Sequence, residues 1–343
     1  MSNSSRVWFV TGTSSGLGLS LVTEVLVAGE RVVATARNPA SSKGLVSLQS
    51  KYPESQLLVL RLDVTDAPRI KEVFDLAVQH FHRIDVVVNN AGYGVTAEIE
   101  ATPDKVAREQ VETLFWGPVN VTKQVKCMPL SLCGPPFTAI CTQALHVFRT
   151  VNAPGEGGRV LNISSIGGYS ANPTLAYYNA AKFGTCSLYS SSLTFVHSFF
   201  ISAFSIALEG FTEAFDREMP PAWNIKGIII EPGAFPTTWR DGDSVPPHPD
   251  YPPDAPSVLF RQMTLAYTPI GDLSKAAKAM IKMAGEKNPP ARVQLGSDSF
   301  GILVHEATKT IKEAEQWQEV AHGTNKDGID GNKVLEQLRA ALR

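Results

Sequence analysis

The sequence predicts an α/β fold: a single parallel, doubly wound sheet with helices on both faces. Three observations carry this expectation. Short apolar runs alternate with helical spacings as far as Ile230. The runs are continuously apolar, as strands covered on both faces require. The first of them ends in a glycine-rich turn, Thr11-Gly12-Thr13-Ser14-Ser15-Gly16-Leu17-Gly18, that opens directly into a helical pattern. Strands that alternate with helices pair in parallel through crossovers, and such sheets bind ligands beyond the carboxyl ends of their strands.

The elements follow in order. Val7 to Val10 is a short apolar run, read as a buried strand. Leu17 to Val27 has helical spacing, and Arg31 to Ala36 is the second strand. Leu57 to Leu62 is the third strand and is followed by Asp63. Asp66 to Phe81 places apolar residues three and four apart, the mark of an amphipathic helix. Ile84 to Val88 is the fourth strand and runs into Asn89-Asn90-Ala91-Gly92. Thr102-Pro103 opens a helix that extends to about Lys123. Gly158 to Ile163 and Ile225 to Ile230 are further strands. The whole reads as one Rossmann-like domain over residues 1–343. Thr238 to Pro256 is rich in Pro and has a loop's composition, so region 238–270 is expected to form a substrate lid or a plain surface loop.

Bulk properties narrow the function classes. The 343 residues are 43% hydrophobic and 19% charged, enough for one large domain with a full core. The formal net charge of -2 gives no basic field for nucleic acid or an anionic membrane. Met1 to Arg6 is polar, and no apolar window has the length of a membrane span; Leu193 to Ile206 is short and interrupted by Ser and His. A soluble, cytoplasmic protein is expected. Cys127, Cys133, Cys141 and Cys186 show no paired metal spacing and the His residues do not cluster, so no metal site is expected.

Two sets of residues carry chemistry. Lys182 lies four positions after Tyr178, one helical turn away on the same face, where its ammonium is expected to lower the phenol pKa. That would make Tyr178 a usable proton donor near neutral pH. Ser165, thirteen residues before Tyr178, can hold a carbonyl oxygen beside the phenol. Gly12, Gly16 and Gly18 let the backbone approach a pyrophosphate, with the N–H groups of the helix starting near Gly16 and Leu17 offered to it.

These residues, with Asp63, Asn90-Ala91-Gly92 and Pro232-Gly233 followed by Thr237 in the same order, resemble the short-chain dehydrogenase/reductases. The resemblance covers roughly residues 6 to 320. It implies that Ser165 orients a carbonyl, Tyr178 is the acid/base, and Lys182 tunes Tyr178 and binds the nicotinamide ribose. It implies contacts of Asp63 with adenine, of Asn90, Ala91 and Gly92 along the adenine-side ribose, and of Thr237, after Pro232-Gly233, with the nicotinamide carboxamide. An acidic residue at the end of the second strand would hold a ribose 2′-hydroxyl. Arg37 there favours a 2′-phosphate, so NADP is expected over NAD. The family's usual Asn three residues before Gly117 is Leu114 here, which implies slower proton exchange behind Lys182.

Two segments have no counterpart in that pattern, 125–143 and 184–206. They hold all four Cys, and Lys126 is their only Asp, Glu, Lys or Arg. Val125 requires a GT-initial codon and Gln143 can be CAG; Gly184 as GGT, and Ile206 as ATA before Ala207, would likewise give GT and AG ends. Both segments are therefore read as translated introns, with genuine insertions as the alternative. Joining Phe183 to Ala207 gives an unbroken helical sequence after Lys182. Three functions are expected in turn. The first is an NADP-dependent oxidoreductase acting on a small or medium, fairly apolar carbonyl/alcohol pair, a homodimer or homotetramer where the helix after Lys182 is intact. The others are a cofactor-binding but catalytically impaired protein, and a lyase or epimerase using the Tyr–Lys pair.

Overall fold

The computed structural model describes residues 5–122, 144–182, 208–241 and 244–341. Segments 125–143 and 184–206, and with them all four Cys, lie outside the described residues. The chain divides into two compact units, Met1–Phe300 and Gly301–Arg343.

The first unit is built on seven parallel strands. In chain order its elements are β1 Val7–Thr11, α1 Gly16–Val27, β2 Arg31–Ala36, α2 Lys43–Lys51, β3 Leu57–Arg61, α3 Ala67–Phe81 and β4 Val86–Asn89. Next come α4 Asp104–Val111, a π-helical turn Glu112–Trp116, α5 Gly117–Thr122, α6 Ala144–Thr150, β5 Gly158–Ile163 and α7 Ala176–Lys182. The unit is completed by α8 Leu208–Glu218, β6 Ile225–Pro232, α9 Pro256–Ala266, α10 Leu273–Gly285, β7 Arg292–Leu295 and the start of α11 Ser297–Gln316. The second unit holds the rest of α11, α12 Gln318–Gly323 and α13 Gly331–Ala341.

The sheet order is β3-β2-β1-β4-β5-β6-β7. The chain winds outward from β1 in one direction and then from β4 in the other. In such sheets ligands bind beyond the carboxyl ends of the strands at the switch point, here between β1 and β4. Strand residues alternate between the faces. Trp8 and Val10 of β1 join a core with α1, α2 and α10, while Val7 and Phe9 join one with α3, α6 and α8. Phe9 stacks on Phe74 of α3 at 4.1 Å between ring centroids. α3 forms where its spacing predicts. The Asp66 side chain caps it by accepting from Arg69 N, apolar residues 70, 73, 74, 77 and 81 are buried, and His82 ends it in a left-handed conformation.

Two differences from the sequence reading bear on the site. The helix expected from Thr102 to about Lys123 contains the π-helical turn, with the buried Leu114 at its centre. Helices with such turns often carry functional sites. A seventh strand, Arg292–Leu295, was not anticipated, because its R-V-Q-L pattern and half-buried edge position lack a continuous apolar run. Within region 238–270, α9 occupies Pro256–Ala266, after the Pro-rich stretch. It is tied back to the segment after β4 by an ion pair, Arg261 Nη2 to Glu98 Oε2 at 2.7 Å. Among the described residues no helix is long and apolar enough to cross a membrane.

Candidate active site

The glycine turn leaves β1 at the switch point. Gly12 has φ +69°, and a Cβ there would stand 2.6 Å from Ala91 Cα, so no side chain fits. A Cβ on Gly18 would strike the Gly12 carbonyl oxygen. The segment after β4 is stitched to the turn. Thr11 Oγ1 accepts from Asn90 N at 3.0 Å and Ala91 N at 3.1 Å, and Asn90 Nδ2 donates to Thr11 O at 3.0 Å and Gly12 O at 2.9 Å. Asn90 thus shapes the turn with its side chain. Thr237 lies over the turn, its Cγ2 3.1 Å from where a Gly16 Cβ would be. Ser15 Oγ and Thr238 Oγ1 are 3.1 Å apart. α1 starts with no side-chain cap and no acidic residue in its first turn, which leaves its N–H groups and positive dipole end available to an anion.

The other predicted nucleotide residues line the same sheet edge. Arg37 follows β2 and is exposed. Asp63 follows β3, where its Oδ1 accepts from Thr65 N at 3.0 Å and Thr65 Oγ1 at 2.8 Å. Pro232 ends β6, Gly233 N donates to Leu295 O at 2.8 Å, and the Asp298 carboxylate accepts from Ala234 N at 2.7 Å. These contacts fix the path that delivers Thr237. Gly92 packs on Leu114, whose Cδ2 would lie 2.7 Å from a Cβ there.

Ser165 follows β5 and Tyr178 and Lys182 stand on α7, and the structure brings all three together. The Ser165 hydroxyl accepts from Gly167 N at 3.0 Å and stands close enough to the Tyr178 hydroxyl to favour its phenolate. Tyr178 is buried while Tyr177 is half-exposed, so Tyr178 is the inward tyrosine. Lys182 is buried, and its Nζ donates to Ile163 O at 2.6 Å. Thr174, just before α7, is a β-branched residue at φ +64°, strain of the kind that gathers at functional sites.

The electrostatics correct one expectation. Tyr178 lies above its ordinary pKa because burial disfavours the phenolate, offset only in part by Ser165. The expected lowering by Lys182 is absent. Burial also lowers Lys182 itself to about 8, opposed by Glu209. Leu114 is buried against Leu175, Tyr178 and Ala181, so the position of the family's Asn is an apolar seal. Trp239 packs edge-on to Tyr178 at 5.5 Å, and with Phe260 makes the surroundings aromatic and apolar. Sequence reasoning missed Trp239 and Glu209. For Glu209 one signal existed: across the joined Phe183–Ala207 sequence it falls four positions after Lys182. Among the described residues no group of three or more His, Cys, Asp or Glu is arranged to hold a metal ion.

Residues 6–130 match the family model described as short chain dehydrogenase. The chain is 31% identical over 336 residues to the uncharacterized oxidoreductase C162.03 of Schizosaccharomyces pombe, covering 97% of this chain and 96% of that one. A short-chain dehydrogenase from Streptomyces avermitilis superposes with a TM-score of 0.70 at 28% identity, over 95% of this chain and 100% of that chain. A short chain dehydrogenase/reductase from Burkholderia phymatum, in complex with NAD, shares the fold at TM-score 0.61 and 15% identity, over 95% and 98% of the two chains. The near full-length relative, the matched family model and the seven-stranded sheet agree: the chain belongs to the short-chain dehydrogenase/reductase family of oxidoreductases.

Proposed function

We propose that this protein is an NADP-dependent oxidoreductase that transfers a hydride between nicotinamide and a carbonyl/secondary alcohol pair. The observation that carries the reading is the meeting of Ser165, Tyr178 and Lys182 at the sheet edge that also holds the glycine turn. The turn fits a dinucleotide. Gly12 and Gly18 leave space that a Cβ would fill, and the start of α1 is uncapped. Gly12, Gly16, Leu17 and Gly18 would hold the pyrophosphate. Asp63, with Asn90, Ala91 and Gly92, would line the adenosine side; Pro232, Gly233 and Thr237 would meet the nicotinamide end. Arg37, exposed after a strand with no carboxylate at its end, supports a 2′-phosphate and hence NADP over NAD.

When bound, the cofactor supplies or accepts the hydride. Ser165 holds the substrate oxygen next to the Tyr178 hydroxyl, and Tyr178 gives it the proton in the reducing direction. Lys182, one helical turn along α7, would bind the nicotinamide ribose. Leu114, Trp239 and Phe260 exclude water from the phenol, which supports a small or medium, fairly apolar substrate. A cytoplasmic protein, paired or tetrameric through the helix that follows Lys182, belongs to the same reading.

A second reading, a cofactor-binding protein with impaired catalysis, is favoured by Leu114 and by the elevated Tyr178. One experiment separates them. NADPH binding is measured by titration, and NADPH oxidation is followed with a panel of apolar ketones and aldehydes. Binding with turnover is the expected result. Binding without turnover on any carbonyl supports the impaired protein, and redox-neutral product formation would point to lyase or epimerase chemistry.

A further inference from the structure

Trp239 stands beside Tyr178 in a short 3₁₀ turn, Thr238–Asp241, two residues after Thr237. Its indole meets the Tyr178 ring edge-on at 5.5 Å between centroids, so the two rings touch and leave no gap between them. The same indole lies on Gly94, where a Cβ would stand 2.5 Å from both Nε1 and Cε2. Gly94 is buried and its φ is not positive, so the glycine serves the fit of the ring and not a turn. Trp239 Nε1 is buried and has no hydrogen-bond partner among the described residues. A buried donor left unpaired is costly, so the indole is held here for its bulk and not for its N–H.

The neighbouring segments hold the ring in place. Val245 N donates to Thr96 O at 3.1 Å, and Thr96 and Ser244 form a parallel bridge, so the chain after Trp239 is tied to the chain after Gly94. Phe260 on α9 packs against the cluster that also takes Trp239, with Tyr178 and Leu114 at its centre. The next residue, Arg261, clamps α9. Its Nε donates to Glu98 Oε1 at 3.1 Å, its Nη2 to Glu98 Oε2 at 2.7 Å and its Nη1 to Val245 O at 3.0 Å. The Arg261 and Glu98 side chains are 11% and 2% exposed, so the pair is little screened by solvent.

We propose that Trp239 is a specificity-determining residue: it walls the flank of Tyr178 on which one substituent of the substrate carbonyl must lie, leaves that flank room for a hydrogen or a methyl group, and so selects aldehydes and methyl ketones. The inference rests on the reduction proposed above, in which nicotinamide gives a hydride to the carbonyl carbon and Tyr178 gives a proton to its oxygen. A carbonyl carbon carries two substituents, one on each side of the C=O axis. With the oxygen at the Tyr178 hydroxyl, one of them is turned to the indole. A larger group there meets a ring that cannot retreat, because Gly94 and the clamped chain beyond it already touch it or fix its turn.

The test is the NADPH-dependent reduction of acetophenone, propiophenone and butyrophenone by the full chain, a series whose second substituent grows from methyl to propyl. In the unaltered chain kcat/KM should fall by about tenfold or more from first to last, the scale on which a pocket discriminates between added methylenes. In Trp239→Ala the three values should level to within a few-fold of one another. The readout is a ratio, which a general loosening that lowers all three alike does not move. Gly94→Ala should change the ratio in the unaltered chain, because its Cβ must displace the indole, and should leave it unchanged in Trp239→Ala. A chain that takes butyrophenone as well as acetophenone, a ratio that survives Trp239→Ala, or a Gly94→Ala effect that persists without the indole overturns the inference. Should Trp239→Ala not fold, Trp239→Leu decides in its place. If no ketone turns over, the same three are titrated against the NADP⁺-loaded chain, where no hydride is available. Affinity graded by size and levelled in Trp239→Ala would then fault the catalytic reading and keep the Trp239 wall; ungraded or undetectable binding overturns the inference too.

Discussion

Arg37 and Tyr178 are the two residues whose replacement says most about this site, and both stand out in the sequence by their position. Arg37 follows a predicted strand by one position, and the structure places it there, exposed, directly after Ala36. Arg37→Asp should weaken NADPH binding by about ten- to a hundredfold, the loss of a charge-assisted contact worth ~1.5–3 kcal/mol. NADH should then bind more tightly than NADPH. Equilibrium titration of both nucleotides checks this, and tighter NADH binding by the unaltered protein would refute the Arg37 argument. Tyr178 was separable from Tyr177 because only Tyr178 has a Lys one helical turn ahead. What spacing did not carry was the local dielectric. Burial raises the phenol, and it lowers Lys182 to about 8. Residues far apart in sequence also left no local signal. Arg292 meets Glu231 only because β6 and β7 are neighbours in the sheet.

Among the elements, strands with continuous apolar runs were readable and edge strands were not. β1, β5 and β6 are buried on both faces, so their composition announces them. β7 pairs on one side only, with β6, and reads as polar alternation. The π-helical turn at Glu112–Trp116 had no sequence signature beyond the departure at Leu114. The described flanks of the two unusual segments pack near one another. α5 and α6 bury Val121, Ala144, Val147 and Phe148 in one core. Ser164 bonds Glu209 at the start of α8 and lies beside the Lys182 carbonyl at the end of α7. Removing the 19 residues 125–143 and the 23 residues 184–206 from the 343 leaves 301. The 301-residue form is expected to be more soluble and more active, because a continuous helix after Lys182 holds the catalytic shell in place. A displacement of about 1 Å there can cost on the order of a hundredfold in rate. Size-exclusion chromatography and NADPH-dependent reduction by both forms check this, with the transcript sequenced across both junctions. A mature transcript that retains both segments, with equal solubility and activity of the full chain, would make them genuine insertions.

For the molecule as a whole, the doubly wound sheet was the most legible feature, since alternation of strand and helix admits few topologies. The order β3-β2-β1-β4-β5-β6-β7 puts the glycine turn, Arg37, Asp63, Ser165 and Thr237 at one edge, because each follows the end of a strand or of the turn beyond it. The C-terminal residues Gly301–Arg343 form a compact unit of their own that no motif announced. The central claim is that this edge performs proton-coupled hydride transfer with Tyr178 as the proton donor. The most direct measurement is single-turnover NADPH oxidation by an accepted carbonyl, compared between the unaltered chain, Tyr178→Phe and Tyr177→Phe, with NADPH affinity measured in parallel. The account predicts that Tyr178→Phe binds NADPH unchanged and loses about a hundred- to ten-thousandfold in rate, while Tyr177→Phe stays within a few-fold of the unaltered chain. Equal losses in the two variants, or an undiminished rate in Tyr178→Phe, would contradict it.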